Sequence, residues 1–189
     1  MRFMLLNILQ FVQHCIRQAI KAGDTVIDAT AGNGHDTVFL AQCVSSDGQV
    51  LAFDIQPAAL EITRHKLLQL DLLSRVQLIQ SGHERMQEFC DDRVSVIMFN
   101  LGYLPGADKQ FTTQAASSLQ AIQAGLNLLA KDGLISIVLY PGHEQGKIEA
   151  ILVEQWAANL PQKEVTVLQY RFMNRVNNAP YALLLQKRI

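Results

Sequence analysis

Asp28-Ala-Thr30-Ala-Gly32-Asn33-Gly34 puts an acid at the end of a β-branched run and two glycines directly after it. Glycines there let the backbone turn tightly and a ligand come close. About twenty residues beyond Gly34, Asp54 closes a second apolar run, where a carboxylate can accept both hydroxyls of a ribose. The spacing predicts a cofactor that carries adenosine. Two classes share this grammar. A dinucleotide site needs G-x-G-x-x-G/A with a pyrophosphate facing the helix N-terminus. Here the third position is Thr37, and Asp36 adds a negative charge where the pyrophosphate belongs. S-adenosylmethionine has no phosphate and carries a sulfonium and an amino group, so acids beside the turn are tolerated or helpful, and it is the better fit. A glycine turn that is merely structural is the remaining alternative.

A second chemical signal is Asn100-Leu-Gly102-Tyr103-Leu-Pro-Gly106, which ends a buried apolar run with an amide, glycines and an aromatic ring. It is similar to the Asn-Pro-Pro-Tyr/Phe turn of methyltransferases acting on planar-ring amines, where carbonyls accept the amine's N–H bonds and the ring stacks on the base. Leu101 and Gly102 replace both prolines, so Asn100 capping a turn and Tyr103 sitting in the core is the competing reading.

These residues need strand ends to hold them. TVIDAT (25–30), QVLAFDI (49–55), RVQLIQSG (75–82), VSVIMFNLG (94–102) and LISIVLYPG (134–142) read as strands. HDTVFLAQCV (35–44), a segment opened by Pro57, a long stretch over 112–133 closed by Gly133, and about 144–159 read as helices between them. The alternation argues for βαβ units and a parallel sheet covered on both faces. KEVTVLQYRF (163–172) and PYALLLQKR (180–188) follow with no helix between, so they must pair antiparallel. Leu5, Ile8, Leu9, Val12, Ile16 and Ile20 form the stripe of an opening helix over 1–22 that packs on the single domain of 1–189.

Sixteen Lys and Arg against seventeen Asp and Glu give a net charge of −1, so a polyanionic partner needs a local basic face. Cys15, Cys43 and Cys90 are an odd three with no Cys-x-x-Cys pair, which reads as reduced thiols and offers no metal site. Asn7, Gln10 and Gln13 interrupt the apolar start, which argues against a signal peptide, and no run approaches the ~18 residues of a membrane span. The expected compartment is the cytoplasm, with no membrane partner.

DATAGNGHDTVFLA, AFDIQPAAL, FNLGYLPGADK, YPGHEQGK and RFMNRVNNAPYALLLQK, in order from about Leu6 to Lys187, resemble the small bacterial class I methyltransferase family labelled rRNA methylase, whose characterised members are MnmM-type tRNA enzymes. The resemblance implies a Rossmann-like α/β domain with a mostly parallel seven-stranded sheet, an antiparallel C-terminal strand and helices on both faces. It also implies S-adenosylmethionine as cofactor and methylation of the 5-aminomethyl nitrogen on the wobble uridine of tRNA, often 2-thiolated. Asp28, Gly32, Asn33 and Gly34, with Thr30 and Asp36, match its donor-binding turn. Asp54 and Gln56 match the ribose end, and Ser81, Gly82 and His83 the turn beside the adenine. Asn100, Gly102 and Tyr103 match the turn that faces the acceptor, and Tyr140 to His143 the fifth-strand turn. Asn174, Asn177 and Asn178 fall on the terminal hairpin loop. Gly-Ala-Asp at 106–108 and Ser81-Gly-His depart from the pattern, the latter leaving the adenine contact less secure than the ribose one.

A free alkylamine is protonated at neutral pH, so the expected catalytic set is Asn100 and Tyr103 to orient the acceptor and His143 to relay its proton. A histidine after a Pro-Gly turn can equally contact the tRNA backbone or its neighbours. His35 reads as the opening of a helix. Arg171 and Arg175 with Lys109, Arg2 and Arg17 are candidates for a basic rim that holds the anticodon loop, with Tyr140, Asn174 and Asn178 beside it. Solvated surface charge is the other reading. The apolar opening helix offers a surface for a homodimer or for core packing.

Overall fold

The computed structural model describes residues 5–90, 93–102 and 115–189. Helix α1 (Ile8–Ala19) opens on a capping box, the Asn7 side chain accepting from Gln10 N and the Gln10 side chain accepting from Asn7 N. Val12 and Ile16 are buried and Ile8 and Ile20 pack beside them, but Leu5 and Leu9 of the expected stripe are 71% and 46% exposed. Two strand–helix alternations and then two strands follow: β1 (Thr25–Asp28), α2 (His35–Cys43), β2 (Gln49–Asp54), α3 (Pro57–Gln69), β3 (Val76–Gln80), then β4 (Val94–Leu101). Pro57 occupies the first turn of α3, where its missing N–H costs nothing. Then come α4 (Ala115–Leu128), β5 (Leu129–Leu139), α5 (Glu144–Ala158), β6 (Val165–Tyr170) and β7 (Tyr181–Lys187).

The strands form one seven-stranded sheet in the order β3-β2-β1-β4-β5-β7-β6. β1 to β5 pair parallel, whereas β7 is inserted antiparallel between β5 and β6. The fold is therefore the α/β sheet expected, with a reversed C-terminal strand. Ile27, Phe53, Phe99, Ile137 and Leu183 pack on one face with α4 and α5. Val26, Val50, Val96, Val138 and Leu184 pack on the other with α1 and α2. Alternation of neighbours such as Val26 and Ile27 between the two faces is the two-residue period of a strand buried on both sides. The order reverses at β1, which has β2 on one side and β4 on the other, and a ligand crevice forms at such a switch point.

The helix expected over 112–133 ends earlier, at Leu128, and Gly133 does not close it. Two cations from distant strands take up its last carbonyls. Lys187 Nζ donates to the carbonyls of Leu126 and Leu129 at 3.1 and 2.9 Å, and an Arg93 guanidinium nitrogen donates to that of Asn127 at 2.7 Å. The freed residues pair instead: Leu129 sits opposite Val94, the register slips, and Asp132, not Gly133, adopts the left-handed conformation at φ 63°. Gly133 lies inside β5, where a Cβ would stand 2.9 Å from the carbonyl oxygens of Ala130 and Ser95.

Candidate functional site

The carboxyl ends of β1, β2 and β4 meet at the glycine turn. Asp28, last residue of β1, is fully buried. Its Oδ2 accepts from Thr37 Oγ1 at 2.6 Å and its Oδ1 from the Thr30 N–H at 3.1 Å. Burial, and after it the Asp36 carboxylate, push its pKa up to about 7. Gly32 and Gly34 have φ of 49° and 76°, and Gly34 caps α2 from the left-handed region. A Cβ at Gly34 would meet Thr63 Oγ1 at 2.7 Å and the Thr63 Cα at 3.0 Å. Asp54, at the end of β2, clamps the turn: its two oxygens accept from the N–H groups of Gly32 and Gln56, both at 2.9 Å. Each oxygen keeps a lone pair for a further donor such as a ribose hydroxyl.

Thr63 and Lys66 of α3 support the same loop and were not anticipated. Thr63 Oγ1 donates to the Gly32 carbonyl at 3.2 Å and Lys66 Nζ to that of Asn33 at 2.6 Å. Their spacing of three puts them on one face of the helix after β2, which was the available signal. His35 opens α2, exposed, with its Nε2 3.3 Å from Lys66 Nζ. On the β3 side, Ser81 and His83 are buried. His83 Nδ1 lies 3.1 Å from the Ala29 carbonyl, which can only accept, so that nitrogen carries a proton. Burial holds the His83 pKa below its ordinary value.

The end of β4 joins the cluster. Asn100 N–H donates to Thr30 Oγ1 at 2.8 Å. The Asn100 side-chain amide donates from Nδ2 to Asp36 Oδ2, and the other Asp36 oxygen accepts from Gln13 Nε2 of α1 at 3.4 Å. Tyr140, just after β5, lies with its hydroxyl 3.5 Å from Asn100 Oδ1, and its ring covers Gly102. Three carboxylates thus converge on one crevice: Asp36 and Asp54 both push the Asp28 pKa upward by charge repulsion. Such a place repels a pyrophosphate and suits a cation.

Residues 50–186 match the family described as "Putative rRNA methylase". The chain belongs to this methylase family. It is 39% identical over 176 residues to the tRNA (mnm5s2U34)-methyltransferase, chloroplastic, of Arabidopsis thaliana, covering 87% of this chain and 64% of that protein. It spans about half the length of further curated relatives, 46% and 47% for two of them. A crystal structure of a protein from Clostridium thermocellum described as "putative rRNA-methylase" superposes with a TM-score of 0.96 at 38% identity, covering 98% of this chain and 100% of that one. A Streptococcus mutans methyltransferase solved in complex with SAH superposes with a TM-score of 0.90 at 34% identity, covering 97% and 99%.

In this methylase-family chain the remaining expected residues fall in three places. Tyr103, Lys109 and Arg2 lie outside the described residues. His143 is the N-cap of α5, its Nδ1 accepting from Gly146 N–H at 3.1 Å. A neutral ring so engaged carries its proton on Nε2, so accepting another proton requires breaking the cap. Arg171, Asn174, Asn177 and Asn178 are exposed on the connection between β6 and β7. Pairing of Leu139 with Tyr181, and of Tyr170 with Ala182, puts that loop at the carboxyl edge of the parallel strands, the edge that carries the site. The Arg171 guanidinium sits 5.3 Å from the Tyr181 ring centroid and Arg175 4.7 Å from that of Phe172. Arg17 instead lies over Phe39, at 5.1 Å, on the α1 side. Tyr170 ties the hairpin to α1, its hydroxyl donating to the Leu6 carbonyl at 2.8 Å and its ring stacked on Phe11 at 3.8 Å.

Proposed function

We propose that this chain is an S-adenosylmethionine-dependent N-methyltransferase of RNA whose acceptor is the 5-aminomethyl nitrogen of the wobble uridine in tRNA, 2-thiolated or not. The observation that carries the cofactor half is the convergence of Asp28, Asp36 and Asp54 on a glycine turn with two left-handed residues. The tRNA half is supported by the Arabidopsis relative at 39% identity and the loop of asparagines and arginines on the site's own edge.

The donor, when bound, supplies an electrophilic methyl carbon on a positively charged sulfur, and that charge favours the neutral form of a neighbouring amine. Asp54 holds the ribose end with the lone pairs left over from Gly32 and Gln56. Asn100 Oδ1 and the Leu101 carbonyl accept the N–H bonds of the acceptor amine, leaving its lone pair to be aimed. Positioning supplies most of the acceleration, since well-oriented reactants gain roughly 7 to 11 kcal/mol. The amine proton passes to solvent; His143 serves the rim as the cap of α5. Arg171, Arg175, Asn174 and Asn178 contact the anticodon-loop backbone, while Tyr103 and Lys109 keep the stacking and phosphate roles that the resemblance implies. An unpaired loop presents its base without the cost of unstacking a duplex. A cytoplasmic setting and self-association through the exposed Leu9 of α1 and Leu5 just before it complete the reading. Among the described residues no helix is long and apolar enough to cross a membrane.

The test is nucleoside mass spectrometry of tRNA and rRNA from a deletion strain. Loss of the methylated wobble uridine with accumulation of its aminomethyl precursor is expected. Unchanged tRNA with a missing rRNA methyl group overturns the tRNA assignment in favour of the activity in the family's description. A thermal shift with NADH but none with S-adenosylhomocysteine overturns the cofactor.

A further inference from the structure

An asparagine that presents its carbonyl oxygen to an amine has a problem of orientation. The two ends of the amide are nearly the same size, and a half-turn about the last side-chain bond swaps an acceptor for a donor. Asn100 faces this problem at the end of β4. One of its neighbours is Asp36, in the first turn of α2, whose ionised carboxylate can only accept. The pair therefore has a single satisfactory arrangement, with Nδ2 against Asp36 and Oδ1 turned toward Tyr140 and the open side of the crevice.

We propose that Asp36 is a positioning residue that locks the Asn100 amide with its oxygen toward the acceptor amine, and that Gln13 of α1 holds Asp36 in place for this task. The inference rests on the proposed N-methylation and assigns the part of the site that chooses which end of Asn100 the substrate meets. Asp36 is pinned on both oxygens, by Asn100 Nδ2 on one and by Gln13 Nε2 at 3.4 Å on the other. The Asn100 backbone is fixed separately, through its N–H to Thr30 Oγ1 at 2.8 Å, so the side-chain torsion is left for Asp36 to decide, helped by the Tyr140 hydroxyl donating to Oδ1 at 3.5 Å. The amide hydrogen bond to a charged acceptor is of the stronger kind, and its partial burial keeps water from replacing it. Asp36 is bonded to Asn100 and Gln13, whereas Asp54 is bonded to Gly32 and Gln56. This adds an acceptor-side role to its expected place among the cofactor contacts. It also explains why α1, which has no part in the βαβ alternation, reaches the site: Gln13 is its contribution.

Two readouts test this independently of one another. The first is exchange of the Asn100 Nδ2 protons by NMR, which needs no turnover. Those protons should be protected in the wild-type chain and exchange on the order of tenfold faster in Asp36→Ala. Equal exchange overturns the positioning role. The second is steady-state methylation of tRNA bearing the aminomethyl nucleoside. Asp36→Ala should lower kcat by roughly 10- to 100-fold with KM for tRNA unchanged. Asn100→Asp should be worse, because it sets two carboxylates face to face. The reciprocal exchange Asp36→Asn/Asn100→Asp restores one donor and one carboxylate, and should regain on the order of tenfold over Asn100→Asp alone. No recovery, or a raised KM for tRNA with kcat unchanged in Asp36→Ala, overturns the assignment. A wild-type chain that leaves this tRNA unmethylated refutes the proposed reaction, and the amide exchange still decides whether Asp36 holds Asn100.

Discussion

Replacing Asp28 by asparagine removes the one carboxyl group that lies fully buried under the glycine turn, and the consequence for stability can be worked from its surroundings. Burial and the neighbouring Asp36 raise its pKa from 3.8 to about 7. The folded chain therefore keeps a proton that the unfolded chain has released between those values. With a raised folded pKa, Asp28 contributes its full stabilisation below pH 3.8, loses it as pH rises, and contributes nothing above pH 7. Each pH unit is worth about 1.36 kcal/mol, so from pH 5 to pH 8 the wild-type chain should lose about 2.7 kcal/mol relative to Asp28→Asn. The asparagine stays neutral throughout. It can still accept from the Thr30 N–H and donate to Thr37 Oγ1, which as a hydroxyl can reverse its role. Urea unfolding of both chains at half-unit intervals is the assay. At a slope of about 2 to 3 kcal/mol per molar, the midpoints should diverge by roughly 1 M across the range, with the variant gaining as pH rises. Titrating groups that do not couple to Asp28 cancel in the difference between the chains. Midpoint curves that run parallel from pH 5 to pH 8 would refute the claim that Asp28 is protonated in the folded state near neutrality.

Gly34→Ala should destabilise the chain by about 1 to 3 kcal/mol and abolish uptake of S-adenosylhomocysteine, since the added Cβ meets Thr63 at 2.7 Å in a left-handed conformation; calorimetry with native binding overturns this. Lys187→Met strips the final carbonyls of α4 of their cation and should cost roughly 1.5 to 3 kcal/mol in denaturant unfolding, with S-adenosylhomocysteine affinity unchanged. Because the folded His83 pKa is depressed, its contribution is present above about pH 6.5 and is lost as pH falls. Wild-type and His83→Gln stabilities should therefore converge on acidification, and a constant difference between pH 7 and pH 5 argues against a buried neutral imidazole. A positively charged donor favours the ionised form of Asp28. The affinity ratio of S-adenosylmethionine to its uncharged-sulfur product should accordingly rise between pH 6 and pH 8, and a flat ratio separates the sulfonium from this carboxylate.

Local pattern carried the sheet. Runs such as VLAFD and SVIMF are buried on both faces, and an apolar stretch of that length between turn residues leaves few alternatives to a covered parallel strand. The antiparallel finish was equally readable, because the connection from Tyr170 to Tyr181 holds no crossover helix. Asp28, Gly32, Gly34 and Asp54 were legible for a similar reason: their spacing along the chain is the spacing of strand, turn, helix and strand. What escaped was whatever depends on partners far apart in sequence. The end of α4 is set by Lys187 and Arg93, and no glycine rule applied to 112–133 could have found them. Thr63 and Lys66 gain meaning only because α3 lies beside the glycine turn. His143 suggested proton relay from its position after Pro141 and Gly142, whereas its Nδ1 caps α5. Gln13 read as an interruption of an apolar stripe, yet it reaches Asp36 across the switch point. Residue order by itself determined which segments become strands and helices and where the glycine turn lies, because these follow from short-range periodicity and backbone preference. Which end of an amide faces the substrate, and which carboxylate keeps its proton, was decided only when folding brought remote side chains within hydrogen-bond reach and took the water away.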